Sequence, residues 1–269
     1  MIKSYSNGEA FIKDNSSFLD ENKYISAFFY LDAPLLVASN EDNYALKVAK
    51  DNKQLLALKV EPYNIMFYGD SGLLEEFLLY IKKNNLQIDG AMCPTDIGDK
   101  LIELAPSILN KQYYLQLGMD FMKTNEITEP SSDEVEHATL DDVDEIEECL
   151  INFFIDCGLP DRPIREKIIN NLDTFRIIRK DHKIIALSRC GHDTEISSRI
   201  STVYVRPEYR NKGYARKVTN TLKNEIIANG QIATLHVDQA NPVSNHLYAS
   251  LGFKKIFSKG IYLLKERKD

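Results

Sequence analysis

The chain has 269 residues, 43% apolar and 27% charged, with a formal net charge of −7. That composition excludes disordered, collagen-like and low-complexity classes, and the length suits one large domain or two modest ones. The greasiest stretch, Ala27 to Ala38, is broken by Asp32 and Pro34 and falls short of the roughly 20 apolar residues of a membrane span.

In chain order, Leu55 to Val60 and Asn64 to Tyr68 are predicted strands on either side of a turn at Glu61-Pro62. Gly69-Asp70-Ser71-Gly72 turns into a helix whose apolar residues Leu73, Leu74, Phe77, Leu78 and Ile81 share one face. The string also occurs in serine proteases, but here it sits between a strand and a helix and is read as a turn. Asp96 to Leu104 is a further helix and Tyr113 to Met122 a late strand. Thr128 to Glu134 has linker composition and divides the chain into 1–130 and 134–269.

Beyond it, Glu136 to Thr139 is an expected strand, and a helix starts at Leu140 or Asp141 with acids in its first turns, which suits the helix dipole. Thr174 to Ile178 and Lys183 to Ser188 form a hairpin around Lys180-Asp181-His182. Ile200 to Val205 is a strand, Tyr214 to Asn229 a helix closed by Gly230, and Ile232 to Val237 a strand. Pro242 to Leu251 is a short helix, with Asn241 as its cap and Gly252 as its stop. Phe253 to Phe257 and Ile261 to Leu264 are two closing strands. No fixed-period repeat is visible.

Cys93, Cys149, Cys157 and Cys190 show no CxxC and no ligand spacing, so they read as reduced thiols without a metal. Met1 to Asn7 opens no signal region, and a cytoplasmic protein without membrane attachment is expected. From Arg206 onward there are 12 Lys/Arg against 5 Asp/Glu, so this end carries +7 and the preceding residues −14. An acidic chain with one basic end does not suit nucleic acid; the basic end suits either a small polyanion or solvent.

The segment Val203-Tyr204-Val205-Arg206-Pro207-Glu208-Tyr209-Arg210-Asn211-Lys212-Gly213-Tyr214-Ala215 carries the sharpest signal. A strand runs into a turn holding Arg210, Lys212 and Gly213, and the turn into a helix. Helix-start N–H groups and the dipole favour a phosphate, Gly213 permits close approach, and the two cations sit at the entrance. Neither the P-loop nor the dinucleotide glycine pattern is present. Downstream, Asn241 caps a helix and Tyr248 lies two turns along it; packing alone also accounts for both.

Together the strand, R-x-x-G-x-A, helix, strand and N-x-x-S-N-x-L-Y-x-x-x-G-F (Asn241 to Phe253) resemble the GNAT superfamily of N-acetyltransferases, over about Val135 to the C-terminus. The resemblance implies an α/β (α+β) fold, a mixed, mostly antiparallel sheet flanked by helices. It implies acetyl-CoA as acyl donor, held by the Val203 to Val205 backbone, by Arg210, Asn211, Lys212, Gly213, Tyr214 and Ala215, and by Asn241 and Ser244. It implies Tyr248 as the acid that protonates the leaving thiolate, with direct transfer to a small-molecule or peptide amine in a ternary complex. Ala215 stands where many members have Gly. The first half, through Met66 to Asp70, Ile88 to Pro94 and Tyr114 to Met119, more faintly resembles the degenerate N-terminal domain of two-domain members such as the glycine N-acyltransferase-like proteins. It has no R-x-x-G-x-G/A, so no CoA site is expected there.

No general base stands out. Asp193, Glu195 and Asp238 lie near the strands, and a water relay serves equally. His236 reads as a strand residue, His246 as outward-facing, and Cys190 lacks an adjacent base. A longer acyl donor, an amino-acid acceptor, a non-catalytic CoA-binding or protein-interaction module and a homodimer are all compatible with the sequence. The acidic first half gives a slight preference for a cationic acceptor.

Overall fold

The computed structural model describes residues 1–36, 42–158 and 162–265. The chain divides into two compact units. Unit 1 comprises Met1–Phe121, Asp238–Ala240 and the chain from Phe257; unit 2 comprises Met122–Val237 and Asn241–Ile256.

Unit 1 runs β1 (Ile2–Tyr5), α1 (Gly8–Asp20), α2 (Lys23–Asp32), β2 (Tyr44–Lys50), β3 (Lys53–Lys59), β4 (Ile65–Gly69), α3 (Leu74–Lys83), β5 (Gly90–Pro94), α4 (Thr95–Leu109) and β6 (Tyr113–Thr124). Its strands β1 to β5 pair in sequence order, antiparallel except for β4 with β5. One face packs on α3 and α4 through Phe67, Phe77, Leu78, Ile97 and Leu101; the other buries Phe11, Leu19 and Phe29 of α1 and α2. The greasy stretch that the sequence excludes as a span is α2 followed by a single 3₁₀ turn at Ala33–Leu35, its last two residues lying outside the described ones. Among the described residues no helix is long and apolar enough to cross a membrane.

Unit 2 runs β7 (Glu136–His137), α5 (Val143–Asp156), α6 (Arg165–Ile169), β8 (Phe175–Lys180), β9 (Lys183–Thr194), β10 (Ser197–Val205), α7 (Tyr214–Ala228), β11 (Ile232–Asp238), α8 (Pro242–Ser250) and the first residues of β12 (Lys254–Leu264), whose remainder from Phe257 is counted in unit 1. Strands β7 to β10 pair antiparallel, and β10 pairs parallel with β11. The β8–β9 turn places Asp181 and His182 at φ 51 and 62, the left-handed pair of a tight hairpin. The α5 helix starts after a 3₁₀ turn at Leu140–Asp142, where Thr139 and Asp142 form a capping box. Tyr204, Leu187, Ile177 and Phe175 face α5 and α6; Val205, Ala186 and Ile178 face α7. Both units thus have one topology: an antiparallel meander, a helical crossover to a parallel strand, and a second helix.

Three expectations change. The closing strands are one, β12, not two, because no turn interrupts Lys254 to Leu264. The division also differs from 1–130 and 134–269: Lys259 to Leu263 pairs with Pro94 to Gly90 and so belongs with unit 1. Thr128 to Ser132 is no free linker but a strap along α7. Asn220 Nδ2 donates to the Pro130 carbonyl (2.8 Å), Asn224 Nδ2 to that of Glu129 (2.9 Å), and Lys223 Nζ to Thr128 Oγ1 (3.0 Å). The Glu129 carboxylate pairs with Arg216 at 2.7 Å. These bonds explain why Asn220, Lys223 and Asn224 are buried on a helix face that composition reads as polar.

Gly98, inside α4, tests the seating of β12 in unit 1. A Cβ there would lie 1.9 Å from the ring of Tyr262, which is fully buried. Helix propensity alone favours Gly98→Ala by about 1 kcal/mol. Overlap should outweigh it, and urea unfolding should show a net loss of about 1–3 kcal/mol; a gain would mean that Tyr262 packs elsewhere.

Candidate functional site

The site begins where two parallel strands part. Ser197 to Ile200 of β10 pairs with Ile232 to Leu235 of β11, and the register ends there. On the other side, Ser201 faces Arg189 but Tyr204 faces Leu187, so Thr202 and Val203 together oppose Ser188 alone. Thr202 takes φ 52, a costly conformation for a β-branched residue. This bulge turns the end of β10 away from β11. Backbone groups of Val203 to Val205 on the β11 side are therefore available to a ligand lying alongside as an added strand.

Arg206 anchors the end of β10. Its side chain is 7% exposed, Nε donates to the Ile184 carbonyl (2.6 Å), and both terminal nitrogens bond Glu148 of α5 (2.8 and 3.1 Å). That guanidinium holds the Glu148 carboxyl below the usual carboxylate range. Glu145 Oε2 accepts from the Ile184 backbone N–H (2.7 Å), fixing α5 to β9 as well. No local signal marks this anchor, since only the fold brings residues 58 positions apart together.

The turn follows. Pro207–Tyr209 makes one 3₁₀ turn, Asn211 takes φ 62 and Gly213 φ 82, and α7 begins at Tyr214. Gly213 is the N-cap and offers no side chain, so the first N–H groups of α7 have no side-chain cap. A Cβ at Gly213 would meet nothing within 4 Å, so the space before the helix is open. These are the features an anion needs at a helix start. The two expected entrance charges are partly committed: Arg210 donates from Nε to the Val205 carbonyl (3.0 Å) and pairs with Asp156 (2.5 Å). Lys212 donates to the Glu208 carbonyl (3.0 Å) and lies 5.4 Å above the Tyr209 ring. Tyr214 and Ala215 pack with Tyr209 against Val205 and Val218, which favours a small residue at 215.

Tyr248 is buried with Ile200, Cys190, Leu235, Val237 and Phe253, its ring edge-on to that of Phe253 at 6.1 Å. Burial, reinforced by the neighbouring Cys157 thiol, pushes its phenol up to about 12. Val203 packs against this cluster and against that of Tyr214 and Ala215, so it joins the tyrosine to the turn. Asn241 and Ser244 meet at the start of α8, where Asn241 Oδ1 accepts the Ser244 N–H (3.0 Å). Of the candidate bases, Asp238 accepts the Ala240 N–H (2.8 Å) and organises its turn, Glu195 is exposed in the β9–β10 turn, and the Asp193 side chain lies outside the described ones. Among the described residues, no three His, Cys, Asp or Glu side chains come together as metal ligands.

In sequence, residues 177–262 match the family model described as FR47-like protein. No curated protein matches at a significant level. In fold, the chain is similar to a GCN5-related N-acetyltransferase from Sphaerobacter thermophilus (TM-score 0.63, 12% identity, covering 98% of this chain and 95% of that one). A Drosophila protein gives TM-score 0.63 at 12% identity, covering 97% and 98%. A GNAT-family acetyltransferase from Colwellia psychrerythraea gives 0.60 at 12%, covering 99% and 100%. The chain thus shares the mixed α/β fold of these GNAT-type structures, with two units of matching topology.

The left-handed turn at 213 is separable from its open space. Because a Cβ there meets nothing, Gly213→Ala should lose about 1–2 kcal/mol in urea unfolding from φ alone, while Gly213→Asn should lose visibly less. Equal losses would point to a steric cause instead.

Proposed function

We propose that the chain is an acyl-CoA-dependent N-acyltransferase that uses acetyl-CoA and a primary amine and transfers by direct attack in a ternary complex. The observation that carries the reading is the parting of β10 from β11 beside the open turn at Gly213, with a buried phenol packed against Val203. Acetyl-CoA would supply a thioester carbonyl and a thiolate leaving group. The Val203–Val205 backbone would align the pantetheine arm, and an N–H near Tyr204 would polarise the carbonyl oxygen. The α7 N-terminus, with Arg210, Asn211, Lys212, Gly213, Tyr214 and Ala215, would hold the pyrophosphate. Asn241 and Ser244 would meet the arm from the start of α8. Cys190 and Ile200 pack closely with Tyr248, which favours a short acyl group.

The amine nitrogen forms a C–N bond as the C–S bond breaks. The amine proton leaves to water, and Tyr248 faces the thiolate. A phenol near 12 against a thiol near 8.5 makes full transfer uphill by about 5 kcal/mol if the thiolate is solvated. Burial beside Tyr248 raises a thiolate too and narrows that gap. Tyr248 therefore acts first as a hydrogen-bond donor to developing charge and completes the transfer as the bond opens.

Unit 1 supports a non-binding role for the first half. At the equivalent turn, the Asp70 carboxylate accepts the Gly72 N–H (2.8 Å) and pairs with Lys53 (3.1 Å). A carboxylate thus occupies the helix start that a phosphate would need, and Lys53 holds its pKa below the ordinary value. The four cysteines are thiols, which fits a reducing cytoplasm.

Titration calorimetry should show micromolar acetyl-CoA binding that an Arg210→Ala/Gly213→Asp double variant loses. No binding by the wild type would overturn the reading. Tyr248→Phe should lower kcat about 100-fold or more with the acetyl-CoA Kd unchanged; an unchanged kcat would remove the role. Because the phenol keeps its proton, kcat of the wild type should not fall up to about pH 10 on its account.

A further inference from the structure

The parted strands give the site two sides, and only one is used by the donor in the reading above. The turn at Gly213 belongs to α7, so the pyrophosphate lies toward the α7 face of the sheet. The other face, toward α5 and α6, is left to the acceptor. Strand alternation sets what it presents. Leu187 faces α5, so Arg189, two residues on, shares its side, and Ser201 lies opposite Arg189 at the level where β10 leaves β11.

Arg189 is half-buried there. Its guanidinium lies 5.6 Å from the Phe175 ring centroid, and Nε donates to Thr174 Oγ1 at 3.4 Å. Among the described residues, no carboxylate lies within 4.0 Å of it. The next position on that side of β9 is Gly191, and Arg199 extends across it, with a terminal nitrogen 3.9 Å from where a Cβ would be. Burial and the Arg199 charge both disfavour the charged form of Arg189. The contrast with Arg176, Arg179, Arg206, Arg210 and Arg216 is plain: each of those meets a carboxylate of its own. A guanidinium over an aromatic ring, beside a second one and with no carboxylate partner among the described residues, is prepared for a planar anion.

We propose that the acceptor is an amine that itself carries a carboxylate, such as a free amino acid, and that Arg189 holds that carboxylate on the α5/α6 side of the β9–β10 ladder. The inference rests on the acyltransferase reading. The amine forms the amide, the carboxylate passes through unchanged, and the free thiol is released. It runs against the slight preference for a cationic acceptor that overall charge suggests, because a local ligand contact outweighs a screened long-range field.

The test is thiol release from acetyl-CoA with the twenty amino acids, their carboxamides and spermidine. The best amino acid should exceed its own carboxamide at least about tenfold in kcat/KM, and spermidine likewise. Arg189→Gln should raise KM for that amino acid at least about tenfold, with the acetyl-CoA Kd unchanged and the carboxamide's KM barely moved. Arg189→Lys should restore part of the loss, which a merely structural role would not give. Equal use of acid and carboxamide, preference for spermidine, equal KM changes for both, or acetyl-CoA binding without turnover of any amino acid would overturn the inference and leave the donor site standing. Failure of the wild type to bind acetyl-CoA would remove the reading and the inference together.

Discussion

Everything proposed for this chain depends on β10 leaving β11 after Ile200. A parallel pair that continued would satisfy its own backbone groups and leave no room between the strands. The bulge at Thr202 and Val203 prevents that, at the expense of a threonine in the left-handed region. The parted strand still needs support on its far side. Arg206 provides it by bonding the Ile184 carbonyl and Glu148 at once, so the free end of β10 is held by α5 rather than by β11. Arg210 repeats the device one turn later with Asp156. Charges that composition assigns to ligand attraction are thus partly spent on holding backbone in place.

The same logic accounts for the polar face of α7. Asn220, Lys223 and Asn224 would be unfavourable under apolar cover, but the strap at Thr128 to Ser132 brings carbonyls and hydroxyls to them. The helix that ends in the open turn is therefore fixed along its length by hydrogen bonds of definite direction. A helix fixed in this way presents its N-terminal N–H groups in a constant position, which anion binding requires.

The two units show how one topology reaches two outcomes. Each crosses from a parallel strand into a helix through a short turn. In unit 2 the turn ends in Gly213, with open space before the helix; in unit 1 Asp70 folds its own carboxylate onto the helix start. One side chain is enough to exchange an open helix start for an internal cap, since a carboxylate there takes the same N–H groups that an anion would.

Local pattern made much of this legible. The α3, α4, α7 and α8 helices and strands β3, β4, β8, β10 and β11 follow from periodicity, from caps such as Asn241 and from stops such as Gly230, because those signals act over a few residues. The turn at Arg210 to Ala215 was legible for the same reason. What sequence could not supply was anything set by residues far apart: the seating of β12 with β5, the strap on α7, the Arg206–Glu148 anchor, and the placing of Arg189 over Phe175 with no carboxylate partner among the described residues. Sequence determines which residues are present and what each short segment prefers. Only the tertiary structure decides which charges are neutralised and which remain for a ligand, because that depends on distances between segments that no local preference fixes.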